Sequence, residues 1–300
     1  MRIVVLSGGD SAEREISLES GASVVAALRS RGHTVTCFDP SVIPVERLSA
    51  DTFDIAIPMV HGAGGEDGTL QRKLLTAGIS WVGSSPEASE LTFNKHRTNT
   101  FLRERRFDVP DGVLVSNADS LNALAHQTQD LGPAVVTKPL CQGSSIGVSI
   151  VRHRKDLGSA VQKTFEFGGH CLIERFIEGR EVTVAVVDGQ PLPSIEIKPR
   201  EWYDFDSKYR DEETGYVFES EHDSENHGDL AVRVCEACGV TGIARVDMRI
   251  DADGRAWVLE INTIPGMTTH SLVPKAAIKH GYSLGELLES SIETAMVRAL

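Results

Sequence analysis

No stretch of this 300-residue sequence is apolar for long enough to span a bilayer. The opening Met1–Asp10 carries an apolar run of only four residues, too short for a secretory signal. The expectation is a cytoplasmic chain with no membrane partner. Basic charge is also scarce, since 30 Lys and Arg against 43 Asp and Glu leave a net charge of −13. That balance argues against a nucleic-acid or anionic-membrane surface, although a few local cations can still serve one anionic ligand. Cysteines number five and are scattered (Cys37, Cys141, Cys171, Cys235, Cys238), a pattern suited to reduced thiols rather than a disulfide framework. Cys235 and Cys238 have the spacing of half a zinc site or a redox pair. With no second Cys/His pair at a suitable distance, they read instead as two semi-buried thiols in a helix ending near Gly239. There is no Walker A sequence, no complete Gly-x-Gly-x-x-Gly fingerprint and no internal repeat.

What is present is the composition of a soluble globular protein, 41% hydrophobic and 24% charged, long enough for two or three packed subdomains. Arg2–Leu6 reads as a buried strand and Gly8-Gly9 as a turn. Leu18, Ala22, Val25 and Leu28 mark the expected inner face of a helix that Gly32 ends. Strands at Thr34–Phe38 and Asp54–Val60, a helix at Asp67–Ala77 and a short strand at Ile79–Val82 complete a small doubly wound domain to about residue 85. Strands near Val113–Val115, Ala134–Lys138 and Cys171–Arg175 follow, with a helix from about Arg154 to Phe165. From Glu181 the pattern changes to hairpins: Val182–Val187, a turn at Gly189-Gln190, then Leu192–Ile197. The polar stretch Lys198–Asn226 is long for a connection and reads as a lid.

The candidate hairpin Ala244–Ile250, Ala256–Asn262 is the most informative segment. Val246, Met248 and Ile250 alternate with Arg245, Asp247 and Arg249, while Trp257, Leu259 and Ile261 alternate with Val258, Glu260 and Asn262. Placing the apolar sets on one core face brings Arg245, Asp247, Glu260 and Asn262 together on the other. A two-residue turn at Asp253-Gly254 sets Asp247 directly opposite Glu260, and a four-residue turn makes them diagonal neighbours. Two carboxylates and an amide oxygen suit Mg²⁺ on nucleotide phosphates. The same segment is equally an exposed polar sheet face. Lys138 ends an apolar strand before the Gly/Ser loop 139–147, which could close on phosphates through N–H groups and hydroxyls or be a mere turn. His61-Gly-Ala-Gly-Gly-Glu-Asp-Gly68 lies between a strand and a helix, a natural carboxylate site, although His61 alone could be structural. Ser11–Glu15 occupies the corresponding place after the first strand.

In order along the chain, Gly8–Ser17, His61–Gly68, Lys138–Gly147, Glu178-Gly-Arg-Glu-Val-Thr183, Tyr203–Tyr209, Arg245-Val-Asp247 and Glu260-x-Asn-Thr-x-Pro-Gly-Met267, with His270–Pro274 after it, resemble the D-alanine–D-alanine ligase family. The resemblance implies an ATP-grasp fold of class α/β (α+β). Its parts would be an N-terminal doubly wound parallel-sheet domain (1–85), a central ATP-binding subdomain (86–178) and a C-terminal catalytic subdomain (179–300) carrying the lid 198–226. It implies ATP as cofactor, held by Lys95, Lys138, Glu174, Phe176, Ile177 and Glu181, and two Mg²⁺ or Mn²⁺ on Asp247, Glu260 and Asn262. Glu13 would take the ammonium of a first D-alanine, and Ser271 and Leu272 the carboxylate of a second, with His61 and Lys208 also at the substrates. Arg245 and the Gly266 N–H would stabilise the tetrahedral intermediate, and Ser144 and Tyr209 would link to Glu13 as the lid closes. A homodimer is implied. Gln142 departs from the acidic residue frequent there in the family. The rival readings are a D-alanine–D-lactate ligase, which the presence of Tyr209 disfavours, another ATP-grasp ligase, and a non-enzymatic nucleotide-binding module.

Overall fold

The computed structural model describes residues 1–117, 119, 121–198 and 215–298. The first sheet is parallel, in the order β2-β1-β3: β1 (Arg2–Leu6), β2 (Thr34–Phe38) and β3 (Ile55–Pro58). The expected strand at Ile79–Val82 contributes a single parallel bridge, Ala56 to Trp81. Alternation along β1 separates two cores. Ile3 and Val5 pack under helix α1 (Arg14–Ser30), while Val4 and Leu6 pack toward helix α2 (Thr69–Thr76).

Helix α1 does not turn Leu18 and Ala22 inward as expected. Leu18 is 41% exposed, and the buried stripe is Ile16, Ser17, Ser20, Gly21, Val24, Val25 and Leu28. The reason is hydrogen bonding at close range. Ser17 Oγ donates to the Met59 carbonyl and accepts from the Gly8 N–H, and a Cβ on Gly21 would stand 2.4 Å from Ser7 Oγ. Polar and small residues therefore take the inner face, and the helix lies close on the sheet.

Helices α3 (Pro86–Phe93) and α4 (Lys95–Glu104) lead to a four-stranded antiparallel sheet in the order β4-β7-β5-β6. Its strands are β4 (Gly112–Ser116), β5 (Val135–Lys138), β6 (Ser149–Val151) and β7 (His170–Arg175), with α5 (Leu121–Gln127) and α6 (Leu157–Phe165) beside it. The second antiparallel sheet runs β11-β10-β8-β12-β13, with the short β9 (Gln190–Pro191) also on β8. These strands are β8 (Arg180–Val187), β10 (Ile195–Lys198), β11 (Gly215–Phe218), β12 (Ile243–Ile250) and β13 (Ala256–Asn262). Helix α7 (Glu221–Cys238) covers one face, and α8 (Leu272–His280) and α9 (Leu284–Arg298) cover the other.

Residues 215–218 of the expected lid form β11 and residues 221–226 open α7, because Gly215–Phe218 pairs in register with β10 and Ser220 caps the helix. Lys198 ends β10, and residues 199–214, with Lys208 and Tyr209, lie outside the described residues. Cys235 and Cys238 are buried thiols, pushed up by burial to about 12 and about 11, which suits neither a metal thiolate nor a redox pair.

Candidate active site

The site is built on a three-strand ladder. Thr183 of β8 faces Asp247 of β12, which faces Glu260 of β13, and in the neighbouring row Ala185, Arg245 and Asn262 stand side by side. The pairing of the two acids is the one a two-residue turn would give, yet nearer the turn Ile250 pairs with Ala256. A β-bulge between these registers accommodates one extra residue in β13. It also changes which side chains are buried. Val258 joins the core at 1% exposure, whereas Trp257 and Leu259, expected there, are only partly buried.

The acids are matched with bases. Arg245 Nε and one terminal nitrogen donate to Asp247 Oδ1 and Oδ2 at 2.8 and 2.7 Å, and Thr183 Oγ1 donates to Oδ1 at 2.6 Å. Lys95, buried at the start of α4, reaches Glu260 at 3.2 Å and donates to the Gln142 carbonyl at 2.7 Å. Burial works against the lysine charge, but Glu260, with smaller help from Glu66 and Cys141, outweighs it and the pKa stands above the ordinary value. Asn262 turns its Oδ1 to the Ile264 N–H, shaping the loop that follows β13.

Lys95, Gln142, Ser144, Arg245, Glu260 and Asn262 line one recess. Glu13, at the start of α1 and 4% exposed, reaches its edge and accepts a hydrogen bond from Ser144 Oγ. Ser144 and Ser145 both have positive φ (51° and 59°), a conformation easier for glycine. Serine at 144 supplies a hydroxyl that glycine would lack.

His61 is a buried tie. Its Nδ1 lies 2.8 Å from the Ile264 carbonyl, which fixes that nitrogen as donor, and Nε2 lies 3.1 Å from Ser20 Oγ. Ser20 Oγ in turn accepts from the Met267 N–H. The relay holds the loop containing Gly266, whose Cα faces Ser271 Oγ at the N-terminus of α8, next to buried Leu272.

The expected nucleotide residues gather at the ends of β5 and β7. Lys138 Nζ lies 2.5 Å from Glu174 Oε2, and Asn99 holds the other oxygen. The guanidinium groups of Arg152 and Arg249 stand over the Phe176 ring, at 5.2 and 5.3 Å from its centre. Arg249 donates to the Ile177 carbonyl and pairs with Glu181 at 3.2 Å. Sequence reasoning gave no role to Thr183, Asn99, Ser20 or Arg249. Thr183 and Arg249 were visible only once strand register was known, and Ser20 required the close approach of α1.

A family model described as D-ala D-ala ligase C-terminus matches residues 109–293. The chain is 40% identical over 300 residues to a D-alanine–D-alanine ligase of Stutzerimonas stutzeri, covering 98% of this chain and 94% of that one. To the ligase of Neisseria meningitidis serogroup A it is 38% identical over 301 residues, covering 99% and 98%. Among solved structures, the D-alanine–D-alanine ligase of Bacillus anthracis matches with a TM-score of 0.87 at 32% identity, covering 100% of this chain and 98% of that one. The same enzyme complexed with ATP gives 0.86 at 31% identity, with the same coverage. The VanG D-Ala:D-Ser ligase of Enterococcus faecalis gives 0.86 at 25% identity, covering 98% and 99%. The sheets described above form the ATP-grasp fold of these enzymes, and the chain belongs to the D-alanine–D-alanine ligase family.

Proposed function

We propose that this protein joins two D-alanines at the expense of ATP, giving ADP, phosphate and the dipeptide used in peptidoglycan precursor synthesis. One observation carries the reading: Glu13, Ser144, Lys95, Arg245, Glu260 and Asn262, drawn from every part of the chain, meet at one recess. We place the functional boundaries at 1–85, 86–178 and 179–300. A cytoplasmic homodimer belongs to the same reading. Among the described residues no helix is long and apolar enough to cross a membrane.

ATP would lie between the four-stranded sheet and the β8–β12–β13 sheet, with its base near Phe176 and Ile177, its ribose at Glu181 and its phosphates toward Lys138 and Lys95. The donor set fits Mg²⁺ or Mn²⁺: two carboxylates directly across a ladder and an amide oxygen beside them, all hard oxygens. Among the described residues no group of three or more His, Cys, Asp or Glu could hold a metal. Two ions shared by Asp247, Glu260 and Asn262 would therefore draw their remaining ligands from phosphate and water. When bound, they supply positive charge to the oxygens of the transferring group.

The protein's own part is placement and charge. Glu13 holds the ammonium of the first D-alanine so that its carboxylate oxygen faces the γ-phosphorus. That oxygen forms a bond to phosphorus, ADP leaves, and an acyl phosphate results. The α8 N-terminus, with Ser271 and the Leu272 N–H, takes the second carboxylate. The second amine attacks the acyl carbon, and Arg245 with the Gly266 N–H balances the oxygen charge that develops. Phosphate departs and the amine gives up its proton. His61 orients the Gly266 loop from behind rather than touching the reacting atoms. Tyr209 and Lys208 keep the roles the resemblance implies.

The test is phosphate release from ATP and Mg²⁺ with D-alanine, L-alanine, D-lactate or D-serine as partner. Release dependent on D-alanine, with the dipeptide as product, is expected. Release indifferent to the partner would leave only a nucleotide-binding ATPase.

A further inference from the structure

We propose that Thr183 is a positioning residue that decides which oxygen of Asp247 faces a divalent cation. The proposal rests on the reading of Asp247 as a metal ligand. Thr183 ends the Glu178–Thr183 motif, is 2% exposed, and sits directly across the ladder from Asp247. The two Asp247 oxygens are not equivalent. Oδ1 receives two donors, Arg245 Nε at 2.8 Å and Thr183 Oγ1 at 2.6 Å, while Oδ2 receives Arg245 alone at 2.7 Å.

Arg245 fills one acceptor site of Oδ2, whereas both sites of Oδ1 are taken, so Oδ2 is the oxygen with a site left for a cation. When Arg245 turns toward an acyl oxygen, Oδ1 keeps the threonine hydroxyl and Oδ2 loses its donor. At 5% exposure a carboxylate oxygen stripped of its partner is costly, and a cation is the group that relieves it. Thr183 therefore locks the carboxylate plane through Oδ1 and presents Oδ2. With valine in its place, Oδ1 would be bared as well, and the carboxylate would be free to rotate or stay with Arg245. Valine has the same branched shape and suits a strand, so the substitution removes a hydrogen bond more than packing.

The experiment measures Mn²⁺ binding in the presence of ADP, by the electron paramagnetic resonance signal of free Mn²⁺. It compares wild type, Thr183→Val, Thr183→Ser and Asp247→Asn, each first shown to be folded by circular dichroism. Thr183→Val is expected to weaken Mn²⁺ by roughly 10- to 100-fold, the usual cost of losing a partner that orients a metal ligand. Thr183→Ser should restore most of the affinity, which a purely packing role would not do. Wild-type Mn²⁺ affinity in Thr183→Val, alongside a loss in Asp247→Asn, overturns the proposal and leaves the metal reading standing. Equal losses in the Val and Ser variants also overturn it, because the Ser variant keeps the hydroxyl and the effect would then follow the shape of the side chain. If Asp247→Asn itself binds Mn²⁺ as wild type does, the metal reading fails and Thr183 falls with it.

Discussion

At the scale of single residues, each acid expected to bind metal and each lysine expected to bind phosphate already has a protein partner. This changes what their removal should do. Glu260→Gln is expected to lower turnover by ~10²-fold at saturating Mg²⁺, since charge at the phosphoryl group is a large contribution. Near-normal turnover would return Glu260 to the status of a sheet-surface residue. Lys138, expected from its place at a strand end to contact phosphate, also has a structural part, since it pairs with Glu174, itself 2% exposed. Lys138→Ala strands a buried carboxylate and should destabilise the protein by about 3–5 kcal/mol. The double variant Lys138→Met, Glu174→Gln should recover most of the melting temperature without recovering ATP affinity, and a calorimetric scan with a nucleotide titration separates the two. The polar face of Arg245, Asp247, Glu260 and Asn262 was legible because alternation leaves few choices. That Thr183 completes it was not, since the partner lies 64 residues away in sequence.

At the scale of elements, strand positions came through well and faces less so. The β13 bulge has no composition of its own, so the exchange of Trp257 and Leu259 for Val258 was invisible to a strict two-residue period. Helix α1 misled for a related reason, since its buried stripe is chosen by serine hydroxyls and a close sheet rather than by apolar content. The end of the expected lid shows the same limit. Glu219, between β11 and α7, is held by His227, Ser194 and Arg180 at 2.6, 2.6 and 2.8 Å. Burial pulls its pKa up, but His227, Ser194 and Arg180 together hold it below the usual carboxylate value. A depressed folded-state pKa contributes stability above the unfolded value of about 4.3, lost as pH falls through the folded one. Glu219→Gln should therefore melt lower than wild type at pH 7, with the gap closing below about pH 4. A gap independent of pH would show that the cluster acts by shape alone.

At the scale of the whole molecule, composition and motif order were enough for the family, whereas the sharing of cores was not. Ile3, Val24 and Ile57 of the first sheet and its helix pack in one cluster with Val187, Met267, Leu288 and Ile292, far along the chain. The four-stranded sheet has its own core around Val135, Ile173 and Val161. Ile292→Ala is expected to cost about 2–5 kcal/mol. Hydrogen exchange should then quicken in β1 and β3 together with α9, leaving β5 and β7 near their original rates. Uniform quickening would mean a single cooperative unit. The pairing of Lys95 with Glu260 has a consequence for ligand uptake. A nucleotide taken alone must draw Lys95 away from Glu260, and a metal taken alone must displace the lysine with no phosphate to receive it. The two together satisfy both side chains. Each ligand should therefore raise the affinity for the other by the same factor, as linkage requires.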